Sequence, residues 1–197
     1  MKADTGAPFL FGKLPAHGDF VSRGLAPAEV EAWDAWASQA MEALRDASPM
    51  FEQAHDAAPP WRFVAGPSRL GPGWRAGALA PSIDSAGRRF IVVAGVQWLD
   101  PACAAACGMA FAERAEQTLY RALGERLTAD EAVVALGEAS GALAEHAELA
   151  AILSATPAGT GAWWVAQAGT PPRAGAEPAA NLFAADVHDW APEEVRP

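Results

Sequence analysis

The sequence predicts an α+β fold, a single domain with a largely antiparallel mixed sheet and helices on both faces. Three observations carry that expectation. Strand-like runs at 61–64, 74–83 and 89–98 follow one another with only turn residues between them, as in an antiparallel meander. Apolar stripes of helical period precede them over 27–47 and follow them over 101–127. Further strand-like runs stand near both ends, at 9–11 and 162–166.

Phe9 to Phe11 is a short apolar run, and the segment from Phe11 to Leu25 separates it from Pro27, a strong helix start. In the helix, Val30, Trp33, Ala37, Ala40, Met41 and Leu44 fall on one stripe, with Trp36 at its edge and Glu31, Asp34, Gln39, Glu42 and Asp46 opposite. Ser48 followed by Pro49 reads as the cap of a short second helix ending near Asp56. Gly66-Pro67 closes the brief strand 61–64. Asp84-Ser85-Ala86-Gly87 is a four-residue turn between the next two strands, and RFIVVAGVQW over 89–98 has the continuous β-branched character of a strand covered on both faces.

Asp100 caps the long helix expected over 101–127, whose stripe includes Phe111, Ala115, Leu119 and Ala122. Thr128-Ala129-Asp130-Glu131 is a capping-box pattern, so a new helix starts there. Gly141 interrupts it, further helical turns run to Ser154, and strands are expected at 162–166 and 182–187 with a Pro/Gly-rich linker over 170–178.

Residues 11–25, FGKLPAHGDFVSRGL, are the most informative stretch. A plain connector needs turn formers only. This one mixes Gly12, Pro15 and Gly18 with Lys13, His17, Asp19 and Arg23 and with apolar Leu14, Phe20, Val21 and Leu25. Such a segment packs onto its domain while presenting a defined polar surface. Asp19 and Arg23 have the i,i+4 spacing of a helical ion pair, and Asp84 and Arg88 permit a similar pairing across their turn. The stretch resembles the opening motif of the TagF (ImpM-like) family of type VI secretion-associated proteins, supplying Gly12, Lys13, Leu14, Pro15, Gly18, Asp19, Phe20, Val21 and Arg23 in register. A second block, Pro81, Ser82, Asp84, Gly87 and Arg88, is similar to that family's P-S-x-D-x-x-G-R pattern, with the Trp33/Trp36 helix between the two. Relatives often continue the second block with an aromatic residue and proline, whereas Phe90 is followed here by Ile91.

The likeness covers residues 9–98 well and leaves 99–190 as a helical region with late strands, all within one domain spanning 1–197. It implies a cytoplasmic, non-enzymatic accessory factor that restrains type VI secretion post-translationally. Its partner would be a forkhead-associated scaffold protein or another component of the machinery, and the residues of the two blocks would form the partner-binding surface.

Composition narrows the alternatives. Hydrophobic residues make up 51% of 197, enough for a substantial core in one domain. No apolar run approaches the roughly 20 residues of a membrane span, and the start Met-Lys-Ala-Asp-Thr-Gly is unlike a signal peptide, so a cytoplasmic protein without an integral membrane segment is expected. A net charge of −10 argues against nucleic acid. Against that total, residues 61–98 carry Arg62, Arg69, Arg75, Arg88 and Arg89 with Asp84 as the sole acid, either a docking face for an anionic partner or charges paired elsewhere in the fold.

Catalysis would start from His17, Asp19, Ser82 and Asp84, a base, an orienter and a nucleophile if the blocks converge, which makes a small hydrolase the competing reading; a structural part of the secretion machine is a third. Ser82 lacks the flanking glycines of a nucleophile elbow, and both aspartates suit turn or cap roles. Lys13 lacks the spacing of a phosphate loop. Cys103 and Cys107 share a helix face and, with histidines scattered at 17, 55, 146 and 188, are read as buried thiols, not metal ligands. No catalytic residue, metal or cofactor is expected. Eight tryptophans exceed the needs of one core, which favours a protein-binding module in which Trp33 and Trp98 belong to the interior.

Overall fold

The computed structural model describes residues 6–98, 100–137, 160–165 and 173–176. The chain forms β1 (Ala7–Gly12), β2 (Val21–Arg23), α1 (Pro27–Ala47), α2 (Phe51–Ala57), β3 (Trp61–Ala65), β4 (Trp74–Ile83), β5 (Arg89–Trp98), α3 (Pro101–Gly124), α4 (Ala129–Gly137), β6 (Thr160–Trp164) and β7 (Arg173–Ala176). One sheet has the order β2-β1-β5-β4-β3-β6-β7, and every described pairing is antiparallel. The expected α+β class and the 61–98 meander are therefore both present, with β4 and β5 in register from Trp74↔Trp98 to Ile83↔Arg89.

Alternation along the strands gives the sheet two buried faces. Phe9, Phe11, Phe63, Leu79, Ile91, Val93 and Trp163 face α1, which contributes Trp33, Trp36, Met41 and Leu44. On the other side, Leu10, Ala78, Ala80, Val92 and Ala94 meet the Ala115, Leu119 and Ala122 stripe of α3 and Ala132 and Leu136 of α4. Small residues at 76, 78 and 80 let α3 sit close to the sheet, while the opposite face takes large rings. Trp33 stacks on Phe9 at 6.3 Å between centroids and meets Trp36 edge-on at 5.8 Å, so Trp36, expected at the rim of the stripe, lies fully inside. Trp98 is also interior, edge-to-face with Phe111.

Four local readings change. Ser48 closes α1, its N–H donating to Leu44 O, and α2 starts only at Phe51, because Met50 takes the position before the helix. Val21–Arg23 is a strand, paired Leu10↔Arg23 to Gly12↔Val21; three residues show no period, and only β1 beside them makes them one. Arg173–Ala176 is a strand on β6 where a linker was expected, since Thr160↔Ala176 pairing supplies what composition does not. Cys107 is buried, and burial pushes its thiol up, but Cys103 is only half-buried, in the first turn of α3 close to Asp100. The interruption at Gly141, the turns to Ser154 and the 182–187 strand lie outside the described residues.

The α4 start follows its capping box: Glu131 accepts from the Thr128 N–H and hydroxyl at 2.8 Å, and the Glu131 N–H donates back to Thr128 Oγ1 at 3.3 Å. Thr128→Ala should cost about 1 kcal/mol and lower Tm by roughly 2–4 °C in thermal unfolding followed by circular dichroism. An unchanged Tm would mean that packing alone fixes the helix start.

Candidate functional site

The two motif blocks meet at one end of the sheet. β1 and β5 run side by side, and Gly12, the last residue of β1, sits opposite Val92 with φ +128°. A Cβ there would lie 2.2 Å from the Ile91 carbonyl oxygen, so only glycine lets the chain turn while still hugging β5. That turn carries Lys13 inward toward the β4–β5 hairpin, whose loop 84–88 forms the second block.

Asp84 is the centre of the junction. Its carboxylate has no solvent exposure and accepts from the Ala86 and Arg88 N–H groups at 2.9 Å each, from Arg88 Nε at 2.6 Å and from the Lys13 ammonium at 3.2 Å. Burial pushes this carboxyl up, but the bonds from the Arg88 N–H, the Arg88 guanidinium, Lys13 and the Ala86 N–H outweigh it and hold the group well below the usual carboxylate range. Gly87, at φ +78°, lets the hairpin close around the carboxylate.

The first block is tied to that loop by its main chain. Ser85 N–H donates to His17 O at 2.8 Å and Arg88 Nη2 to Gly18 O at 2.6 Å, so the 11–25 loop and the hairpin turn are in contact. Gly18 lies close under the hairpin, where a Cβ would come within 3.3 Å of Ser85 Oγ and the exposed serine side chain would have to give way. Phe20 covers the assembly: it packs edge-on to Phe90 at 4.8 Å, stacks on Phe11 at 6.1 Å and lies 4.9 Å from Lys13 Nζ, yet remains 45% exposed. Lys13, Gly18, Phe20, Asp84 and Arg88 thus form one composite unit, and Arg88, with its side chain 56% exposed, is its outward cation.

Other motif residues lie elsewhere. Asp19 does not pair with Arg23; its Oδ1 accepts from the Phe20 N–H, while Arg23 donates through Nε and Nη2 to Asp130 on α4. The hydrogen bond from Arg23 and its charge lower the Asp130 carboxyl. The strand β2 pulls Arg23 out of the helical spacing that the i,i+4 reading assumed. Pro15, Pro81 and Ser82 border a cavity of about 340 Å3 together with His55, Pro60, Ile83, Tyr120 and other residues. Ser82 is 4% exposed, and its Oγ has no hydrogen-bond partner among the described residues.

The catalytic set is not assembled. His17 Nε2 accepts from the Ala129 N–H at 3.0 Å and so caps α4, and Asp84 is saturated by cations and backbone donors. Near the cavity, His55 turns Nε2 to the Phe90 carbonyl at 2.6 Å and Nδ1 to Asp56 at 3.0 Å, leaving neither nitrogen facing Ser82. No group of three or more potential metal ligands occurs among the described residues.

Nor do the arginines of 61–98 make one face. Arg62 pairs with Glu113 and Glu116 on α3, Arg89 with Glu52 and Asp56 on α2 across the sheet, and Arg75 is buried, donating to Gly71 O. The hydrogen bond from Arg89, aided by that from His55, lowers Asp56 to about 2. Sequence reasoning missed His17 as a helix cap, Asp130 as the Arg23 partner and His55 as a bridge to β5. None of the three had a local signal, because they are pairings across 35 to 112 residues.

Residues 10–139 match the family described as "TagF N-terminal domain, Type VI secretion system-associated". Among solved structures, the chain is similar to PA0076 from Pseudomonas aeruginosa PAO1, with a TM-score of 0.69 and 27% identity over 90% of this chain and 92% of that one. No curated protein matches it. No described helix is long and apolar enough to cross a membrane.

Proposed function

Because the chain belongs to the TagF family of type VI secretion-associated proteins, we propose that it is a non-enzymatic, cytoplasmic regulator that represses the secretion system post-translationally by binding one of its components. The observation that supports this reading most is the composite unit around Asp84. Its ionisable groups are spent on holding two distant segments in one shape, and what they hold outward is an exposed aromatic ring beside an exposed guanidinium. Phe20 and Arg88 are the residue types that anchor protein interfaces, whereas a reaction centre needs an uncommitted base or nucleophile. Gly12, Pro15, Gly18, Gly87 and Asp84 serve by fixing the surface; Lys13 supports it from beneath; Asp19, Phe20 and Arg88 present it. A forkhead-associated scaffold protein or another machinery component is the partner this surface would meet.

Arg88 is a poor single probe because it also holds Gly18 and Asp84. Arg88→Glu places a carboxylate beside the buried Asp84 and should lower Tm by roughly 5–10 °C. Phe20→Ala separates the roles better. Its ring is half outside, so capture of the partner from native cells should fall at least about tenfold while Tm falls by only a few degrees. A folded Phe20→Ala protein that captures the same partner undiminished and still restrains secretion would remove this surface from the function.

A further inference from the structure

The cavity beside the motif unit has walls from both faces of one strand. Ser82, Ala80, Tyr120, Leu123 and Pro15 line the α3 side; Pro81, Ile83, His55, Asp56, Ala58 and Pro60 line the α2 side. A space bordered by successive residues of β4 on both faces opens on that strand's edge, and the pairing explains why the edge is there. β4 pairs with β5 as far as Ile83↔Arg89, but with β3 only as far as Leu79↔Trp61. The residues before Trp61 are Pro59 and Pro60, which have no N–H to continue the ladder. Asp84 N–H bonds to Arg88 O and so faces β5. By alternation, Ile83 and Pro81 turn their backbone groups the other way, where no described strand meets them. The outward groups are the Ile83 N–H and both carbonyls.

We infer that the free end of β4, residues 80–83, is a strand-addition site that takes an extended peptide segment, one apolar side chain entering the Ser82–Tyr120–Leu123 half of the cavity and a basic neighbour lying against the α2 half. An edge of alternating donors and acceptors is complemented by another extended backbone and by little else. The period of two then sends consecutive side chains to the two halves. On the α2 side, the Asp56 carboxylate lines the cavity beside Arg89 and His55 with its side chain 51% exposed, open to a further cation; the α3 side is apolar apart from the tyrosine and Ser82. A volume of about 340 Å3 accommodates one large side chain, at the small end of ligand pockets. Pro81 removes one donor from the edge, which limits unspecific pairing while leaving the Ile83 groups in place.

This inference rests on the protein-binding reading only for the origin of the segment, so its test uses a synthetic probe and no cell extract. The probe is a blocked octapeptide alternating lysine with valine and containing one tyrosine at a valine position. Titrated into the full chain and followed by amide nuclear magnetic resonance, it should bind saturably, shift the Ile83 amide and slow its hydrogen exchange roughly tenfold or more. N-methylation of alternate peptide amides should abolish binding in one phase and spare it in the other, which reports the edge without altering the protein. Ile83→Pro should abolish binding as well, and Phe20→Ala should leave it unchanged. Equal binding of a peptide with the same residues in clustered order, insensitivity to N-methylation in both phases, or an Ile83 amide already protected without peptide would each overturn the inference. If the octapeptide binds as described and native partner capture still fails, the edge stands and the regulatory reading falls.

Discussion

Asp84→Asn should lower Tm by on the order of 10 °C, the largest effect expected from a change of one atom in this protein. The asparagine keeps the volume and one acceptor oxygen, but it presents an N–H2 group to donors that need an acceptor and leaves the Lys13 ammonium, 3.2 Å away and 9% exposed, without its counter-charge. Losing one partner of a buried pair costs far more than an exposed pair ever contributes, because the survivor keeps its desolvation penalty. Lys13→Met in the same background should therefore recover part of the loss, and thermal unfolding of the single and double variants measures it as a double-mutant cycle. Purely additive losses would show that Lys13 is held by Phe20 and Phe90 and not by Asp84.

The same carboxylate sets a pH dependence whose sign is fixed. Asp84 is held below its ordinary range, so over the interval from the unfolded value, about 3.9, down to the folded one, the unfolded chain binds a proton that the folded chain refuses. Its stabilisation is complete above that interval and is lost as pH falls through it. Asp56, at about 2, adds a contribution of the same sign. The wild-type Tm should fall steeply below about pH 4. The Asp84→Asn curve should be shallower there, since one of the contributing carboxylates is gone; parallel curves would mean that Asp84 is not charged in the folded protein.

Gly12→Ala is the second large effect. The position combines φ +128° with a Cβ that would stand 2.2 Å from Ile91 O and 2.8 Å from Val92 Cα, and both obstacles are backbone of the central strand. Neither can rotate away, so β1 must part from β5 or the turn must be rebuilt. Strain and overpacking together should cost roughly 3–5 kcal/mol, a Tm drop on the order of 10 °C, with loss of the Lys13–Asp84 contact. Gly87→Ala makes the contrast: φ is also positive, at +78°, but nothing lies within 4 Å, so only the conformational cost of about 1 kcal/mol applies. Equal losses at the two positions would show that backbone conformation, not the approach of β5, is what Gly12 provides.

By itself the sequence determined what depends on neighbours within a few residues. The α1 stripe, the Thr128–Glu131 cap, the 84–87 turn and the β4 and β5 runs were legible because periodicity, capping and turn chemistry are local and repeat often enough to be read. Both blocks of the site were visible for the same reason, as residue types too costly for a plain turn, and so was the Asp84–Arg88 pairing, which spans only four residues.

The tertiary structure alone decided the rest. Whether Arg23 reached Asp19 or Asp130 depended on β2, and β2 exists only because β1 lies next to it. Lys13 and Asp84 are 71 positions apart in the chain, and nothing local makes one the counter-charge of the other. The arginines of 61–98, close in sequence, went to opposite faces because strand residues alternate and each face supplied its own acids. The free edge of β4 comes from a mismatch in where two neighbours stop, a quantity no single strand encodes. Short-range order follows from backbone preference; partners, burial and edges follow from which segments become neighbours, and that is settled by the packing of the whole sheet.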